Sequence, residues 1–192
     1  MSTAVLHKSN TTIDTNHLSF ALCRTEEVDA ALSDSAFAES PATVALSAEI
    51  RVGFRDPHAN SETLLSHRAL SDLGFTALKA WDCVAKGVIH RATELGAARF
   101  FVRSINATGT AIQIRPSVGD DSTWLAHPEL FSRLLGCARQ YLNTTCIHFY
   151  YCGPHFLIAV NSALSDADLP ALPGAVGPLM YHEGFPELIS TR

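Results

Sequence analysis

The sequence predicts an α+β fold in two layers, with a mostly antiparallel sheet and two long helices on one of its faces. Two amphipathic segments of helical period, over residues 75–95 and 128–142, are each followed by a pair of short segments that alternate apolar and polar side chains. Helices beside antiparallel hairpins pack as two layers, and the order helix–hairpin, loop, helix–hairpin is that of an αββ duplication at the level of elements. The composition agrees, since 47% hydrophobic and 17% charged residues can bury a real core. A chain of 192 residues suits one domain over 18–192, preceded by a polar, turn-rich segment at 1–17 that is expected to be flexible.

Each element follows in order. "LSFALC" (18–23) sets Leu18, Phe20 and Leu22 against Ser19, Ala21 and Cys23, a half-buried strand. "EEVDAALSDSAFA" (26–38) has acids in its first turn and Pro41 beyond its end, as a helix would. "ATVALSAEIRVGF" is apolar at every even position from Ala42 to Phe54, which predicts one long strand, and "RDPHANSE" (55–62) is a loop. The first long helix carries Leu78, Trp81, Ala85, Val88, Ala92 and Leu95, with Gly96 placed for a left-handed cap.

"ARFFVRS" and "TAIQIR" pair across "INATG", placing Phe100, Val102, Ile112 and Ile114 on one face and Arg99, Phe101, Arg103, Gln113 and Arg115 on the other. A four-residue loop would mix Arg103 into the apolar face. Pro128 begins the second long helix, whose stripe is Leu130, Phe131, Leu134, Leu135, Ala138, Tyr141 and Leu142. Residues 162–178 form a Pro- and Gly-rich surface loop, and "LMYHEGFPELIS" a small hairpin around Glu183-Gly184.

The densest chemistry lies in "TTCIHFYYCGPHFLIAV" (144–160). With Gly153-Pro154 as a two-residue turn, Cys152 faces His155, Tyr150 faces Leu157, His148 faces Ala159 and Cys146 faces Asn161. Ile147, Phe149, Tyr151, Phe156, Ile158 and Val160 then form the core face, and the Cys/His set points to solvent, a second layer or a partner. Strand rise separates Cys146 from Cys152 by roughly 20 Å, so the two cysteines and two histidines cannot converge on one ion. No metal site is expected. Cys152 with His155 is the one pair arranged as a thiolate–imidazole couple, the basis of a thiol-dependent catalytic or redox reading.

"GDDSTW" (119–124) offers Asp120 and Asp121 to a cation, although acids before a helix are more often a solvated turn with Asp121 or Ser122 as cap. A net charge of −5 argues against general nucleic-acid binding, while arginines interleaved with Phe101 could still meet phosphate or a protein partner. Five cysteines at irregular spacing favour reduced thiols in a cytoplasm, and no apolar run is long enough to span a bilayer. No glycine-rich phosphate loop, serine elbow or zinc-protease motif occurs, so no cofactor is expected.

"SETLLSHRAL" before the first long helix, the unit "HPELFSRLL…IHFYYCGPHFLIAV" and the terminal "LMYHEGFPELIS" together resemble a family of bacterial cytoplasmic proteins of unknown function. The resemblance covers roughly residues 60–190. It implies the fold and a bacterial cytoplasmic location, and no chemistry. The expected function is therefore a non-enzymatic module for protein–protein interaction or self-association as a homodimer, using Phe101, Arg103, His148 and Tyr150 on sheet surface. The alternative is a thiol-dependent enzyme or redox protein using Cys152 and His155.

Overall fold

The computed structural model describes residues 18–34, 36–56, 63–94, 98–153, 156–161 and 176–189. The expectations for residues 1–17, Leu95, Gly96, Pro154, His155, most of the loop at 57–62 and the stretch 162–175 lie outside the described residues.

The chain starts with β1 (Ser19–Arg24) and runs directly into α1 (Thr25–Asp34), whose first-turn Glu26 and Glu27 suit the positive end of the helix dipole. A 3-10 turn over Phe37–Glu39 follows. The long strand expected over 42–54 is instead a hairpin of β2 (Thr43–Ala45) and β3 (Ile50–Arg55). Val44 pairs with Val52 and Thr43 with Gly53, and the Ser47 hydroxyl accepts the Ile50 N–H at 3.2 Å inside the turn. Even positions pair with even and odd with odd, as in Val44–Val52 and Thr43–Gly53, so the alternation passes through the reversal unbroken. β1, β3 and β2 form a three-stranded antiparallel sheet.

Next come α2 (His67–Asp72), capped by the Ser66 hydroxyl, and the 18-residue α3 (Ala77–Glu94). The buried line of α3 is Ala80, Val84, Ala85, Val88 and Ala92, while Leu78, expected inside, is 63% exposed. The helix turns its Ala80–Val84–Val88 line towards β2 and the second long helix, which leaves the Leu78 side outward.

β4 (Phe100–Ser104) and β5 (Ala111–Pro116) make the first hairpin. Its five-residue loop begins one residue later than expected, at Asn106, whose side-chain oxygen accepts the N–H groups of Thr110 and Ala111. The pairing moves by two residues, as in Val102 with Ile114, so the two faces keep the predicted composition. A short α4 (Asp121–Leu125) precedes α5 (Pro128–Leu142), which starts on Pro128 and ends on a left-handed Asn143. Leu130, Phe131, Leu134, Ala138 and Leu142 are buried, and Tyr141 is exposed.

β6 (Ile147–Tyr151), β7 (Leu157–Asn161), β8 (Val176–His182) and β9 (Phe185–Leu188) complete the chain. Residues 176–178, expected in a loop, belong to β8. Glu183 and Gly184 both have positive φ, the two-residue turn that matches strand twist. The second sheet has six antiparallel strands in the order β4-β5-β7-β6-β8-β9.

With 36% helix and 35% strand the fold is α+β. Both expected hairpins sit in one sheet, joined through β5 and β7. The long helices divide their contacts: α5 lies on β5 and β7, and α3 reaches β2 and α5. One apolar cluster runs from Phe20 and Phe54 of the small sheet through Trp124 to Phe149 and Leu157 of the large one.

Candidate functional site

The register of β6 and β7 decides where the candidate residues point. Tyr151 pairs with Leu157, Tyr150 with Ile158, Phe149 with Ala159 and His148 with Val160. The Cys152 N–H donates to the Phe156 carbonyl at 2.8 Å, so three residues, 153–155, separate the arms. The expected two-residue turn is thus one residue short. A slip of one residue turns every β7 side chain over: Leu157 and Ala159 join the main core, and Phe156, Ile158 and Val160 lie on the opposite face. Cys152 stands across from Phe156 rather than His155, and His155 itself lies outside the described residues.

That opposite face gathers the other sequence-predicted residues into three rows. Arg103, Gln113, Ile158 and Tyr150 follow one another across β4, β5, β7 and β6, and the next row is Ala111, Val160 and His148. Continuing the ladder by one pair gives Phe101, Arg115, Phe156 and Cys152. Neighbours within a row are about 4.8 Å apart.

The face has two characters. Towards β6 and β7 it is covered: Ile158 is fully buried, Val160 and Tyr150 nearly so, with Ile105, Phe156 and Cys152 packed against them. Towards β4 and β5 it is open, with Phe101 65% exposed. There Phe101, Val102, Arg103, Gln113 and Arg115 line a cleft of about 330 Å³, and the Arg103 guanidinium donates to Gln113 Oε1 at 2.6 Å. His148 is half-buried and contributes to a separate small cleft with Cys146 and Met180. Phe101 and Arg103 are therefore together on β4, with two strands, β5 and β7, between them and His148 and Tyr150 on β6.

All five cysteines are free thiols. Burial raises the Cys152 thiol above its ordinary value, which keeps it protonated and weakens it as a nucleophile. Burial, then Glu27, pushes Cys23 up to about 11. Among the described residues no three His, Cys, Asp or Glu side chains converge as metal ligands would, and no helix among them is long and apolar enough to cross a membrane.

A second cluster sits where α4 joins the two sheets. Asp120, not Asp121 or Ser122, is the cap: its Oδ1 accepts from the Thr123 N–H, the Thr123 hydroxyl and the Ser122 hydroxyl. Asp121 turns inward and is 1% exposed, and neither carboxylate oxygen is at bonding geometry with any donor. Burial, reinforced by Asp120, pushes its carboxyl up to about 7; the Arg115 charge and the Leu157 backbone N–H oppose this from outside that geometry, too weakly to offset it. Burial also raises the Tyr151 phenol, with Asp120 adding to the shift and Ser122 and Arg55 opposing it. The "DDS" before an apolar run signalled a capped helix, but nothing in the sequence marks which acid is buried.

Sequence reasoning also missed a cleft of about 710 Å³ between the 3-10 turn, α2 and the start of α3. Phe37 is 73% exposed there and stacks on His67 at 4.5 Å, beside the outward Leu78. Phe37 fell in the segment read as the first helix and Leu78 in the apolar stripe of the first long helix, so neither pointed to a surface cleft.

Comparison with protein-family models, with curated proteins and with solved structures finds no match for this chain.

Proposed function

We propose that this protein is a non-enzymatic interaction module that associates with itself through the open part of its six-stranded sheet. The observation that supports this reading is Phe101, 65% exposed beside Arg103 and Arg115 on the outer face of β4 and β5. An exposed aromatic flanked by arginines is the composition in which interfaces are enriched. β4 is also an edge strand whose only strand neighbour among the described residues is β5. Burial raises the Cys152 thiol on the same face, which weakens it as a nucleophile and favours this reading over thiol chemistry.

Light scattering on the purified chain at tens of micromolar tests the proposal. The expected mass is twice that of the 20.7 kDa chain. A single-chain mass at that concentration overturns it.

A further inference from the structure

We infer that the partner is a second copy of this chain, added edge to edge along β4 in an antiparallel pairing with its two-fold axis at Val102. The inference rests on the self-association reading and specifies its surface and register.

The direction of the backbone groups supplies the first argument. Ser117 N–H donates to the Arg99 carbonyl and Ile105 N–H to the Ala111 carbonyl, so the odd residues of β4 bond to β5. The β4–β5 pairing is regular from Phe100 to Ser104. The N–H and C=O groups of Phe100, Val102 and Ser104 therefore point away from β5, to the edge of the sheet, where no strand pairs with β4 among the described residues. Two such edges bond only in a register that sets even residues opposite even ones. The register with the fullest overlap places Val102 opposite Val102 of the second copy, and Phe100 opposite its Ser104.

Side chains supply the second argument. In that register Phe101 of one copy stands directly opposite Arg103 of the other, and the reverse, at the closer, non-hydrogen-bonded type of pair. An arginine beside an aromatic ring across strands is a favourable pair, and the two-fold axis makes it twice. On the inner face, Phe100 and Val102, both packed against the core, meet Ser104 and Val102 of the second copy and continue the apolar layer. The two Arg103 charges lie diagonally rather than opposite, in solvent that screens them at physiological ionic strength. Arginine on an edge can also serve to keep it unpaired; placing it opposite an aromatic turns that guard into a contact.

Amide hydrogen exchange on the wild-type dimer is the direct test. The N–H groups of Phe100, Val102 and Ser104 are expected to be protected at least tenfold more at high than at low protein concentration. A dimeric protein in which these three amides exchange freely overturns the edge pairing and leaves self-association standing. Charge exchange gives a second test by light scattering, with circular dichroism to verify folding. Phe101→Arg sets Arg opposite Arg and is expected to shift the dimer to monomer; F101R combined with R103E creates an Arg–Glu pair in the same register and restores it. A dimer that survives F101R, or a folded double variant that stays single, overturns the register.

Discussion

Asp121 is a carboxyl group with almost no access to water and no donor at bonding geometry. Its folded-state value of about 7 lies above the unfolded value near 4. Below about pH 4 it is neutral in both states and costs little. Between about 4 and 7 the unfolded chain gives up the proton and the folded chain keeps it, so stability falls as pH rises through this window. Above about 7 the full penalty is present, on the order of 3–4 kcal/mol. Asp121→Asn removes the ionisation, so it is expected to stabilise the protein by about 1–3 kcal/mol at pH 8 and to change little at pH 4, after allowing for the buried amide. Urea titrations across that range measure both; an unchanged pH slope would show that Asp121 is not the buried titrating group. The thiols follow the same physics. Cys83 and Cys146 are exposed and Cys152 is not, so Cys152 is expected to label more slowly than Cys83 at pH 8. Faster labelling of Cys152 would revive the thiol chemistry that the sequence suggested. Neither residue's environment was legible in advance, because burial comes from elements far away in the chain.

At the level of elements, what the sequence revealed depended on whether one face or both were apolar. The β4–β5 hairpin has a polar outer row, Arg103, Gln113 and Arg115, so its faces were readable even though its register lay two residues away. "HFLIAV" is apolar on both sides, and a slip of one residue cost nothing in the pattern; only the three-residue connection after Cys152 settles it. The β2–β3 reversal was invisible for a related reason, because its pairing conserves parity. Helix ends were more legible: Pro128 marks the start of α5 in sequence and in structure, and its apolar stripe ends at Leu142, where the helix does. His127 adds a contact that the sequence did not announce. Its Nδ1 accepts the Glu129 N–H, its Nε2 lies 3.6 Å from Asp82, and its ring packs on Trp81, tying α5 to α3. His127→Ala is expected to cost about 1–2 kcal/mol, a lost cap together with a lost ring contact. His127→Asn retains a capping oxygen and should recover part of that loss in chemical denaturation. Equal losses for both variants would remove the capping account.

For the whole molecule, the central question is why two separate sheets share one core. Trp124 lies at the point where they meet. It is 1% exposed, its indole N–H donates to the Val118 carbonyl at 2.7 Å, and its ring meets Phe100 edge-on at 4.8 Å. Its helix, α4, touches β1 of the small sheet and β5 of the large one, and the Ser122 hydroxyl oxygen, whose proton goes to Asp120, lies 3.2 Å from the Phe20 carbonyl. Carbonyls at the other end of α4 are held by Tyr181 and Trp81, through Leu125 and Ala126. A joint of this kind couples the sheets, so unfolding is expected to be one cooperative transition. Trp124→Phe keeps a ring but orphans the Val118 carbonyl and leaves a void, at a cost of about 1–3 kcal/mol. The variant also leaves Trp81 as its sole tryptophan, so fluorescence reports the α3–α5 side while far-ultraviolet circular dichroism reports all elements. Both signals should shift to lower denaturant together, with one midpoint. Two midpoints, with the fluorescence transition separated from the circular dichroism transition, would mean that the sheets unfold independently and that α4 rests between them without joining them.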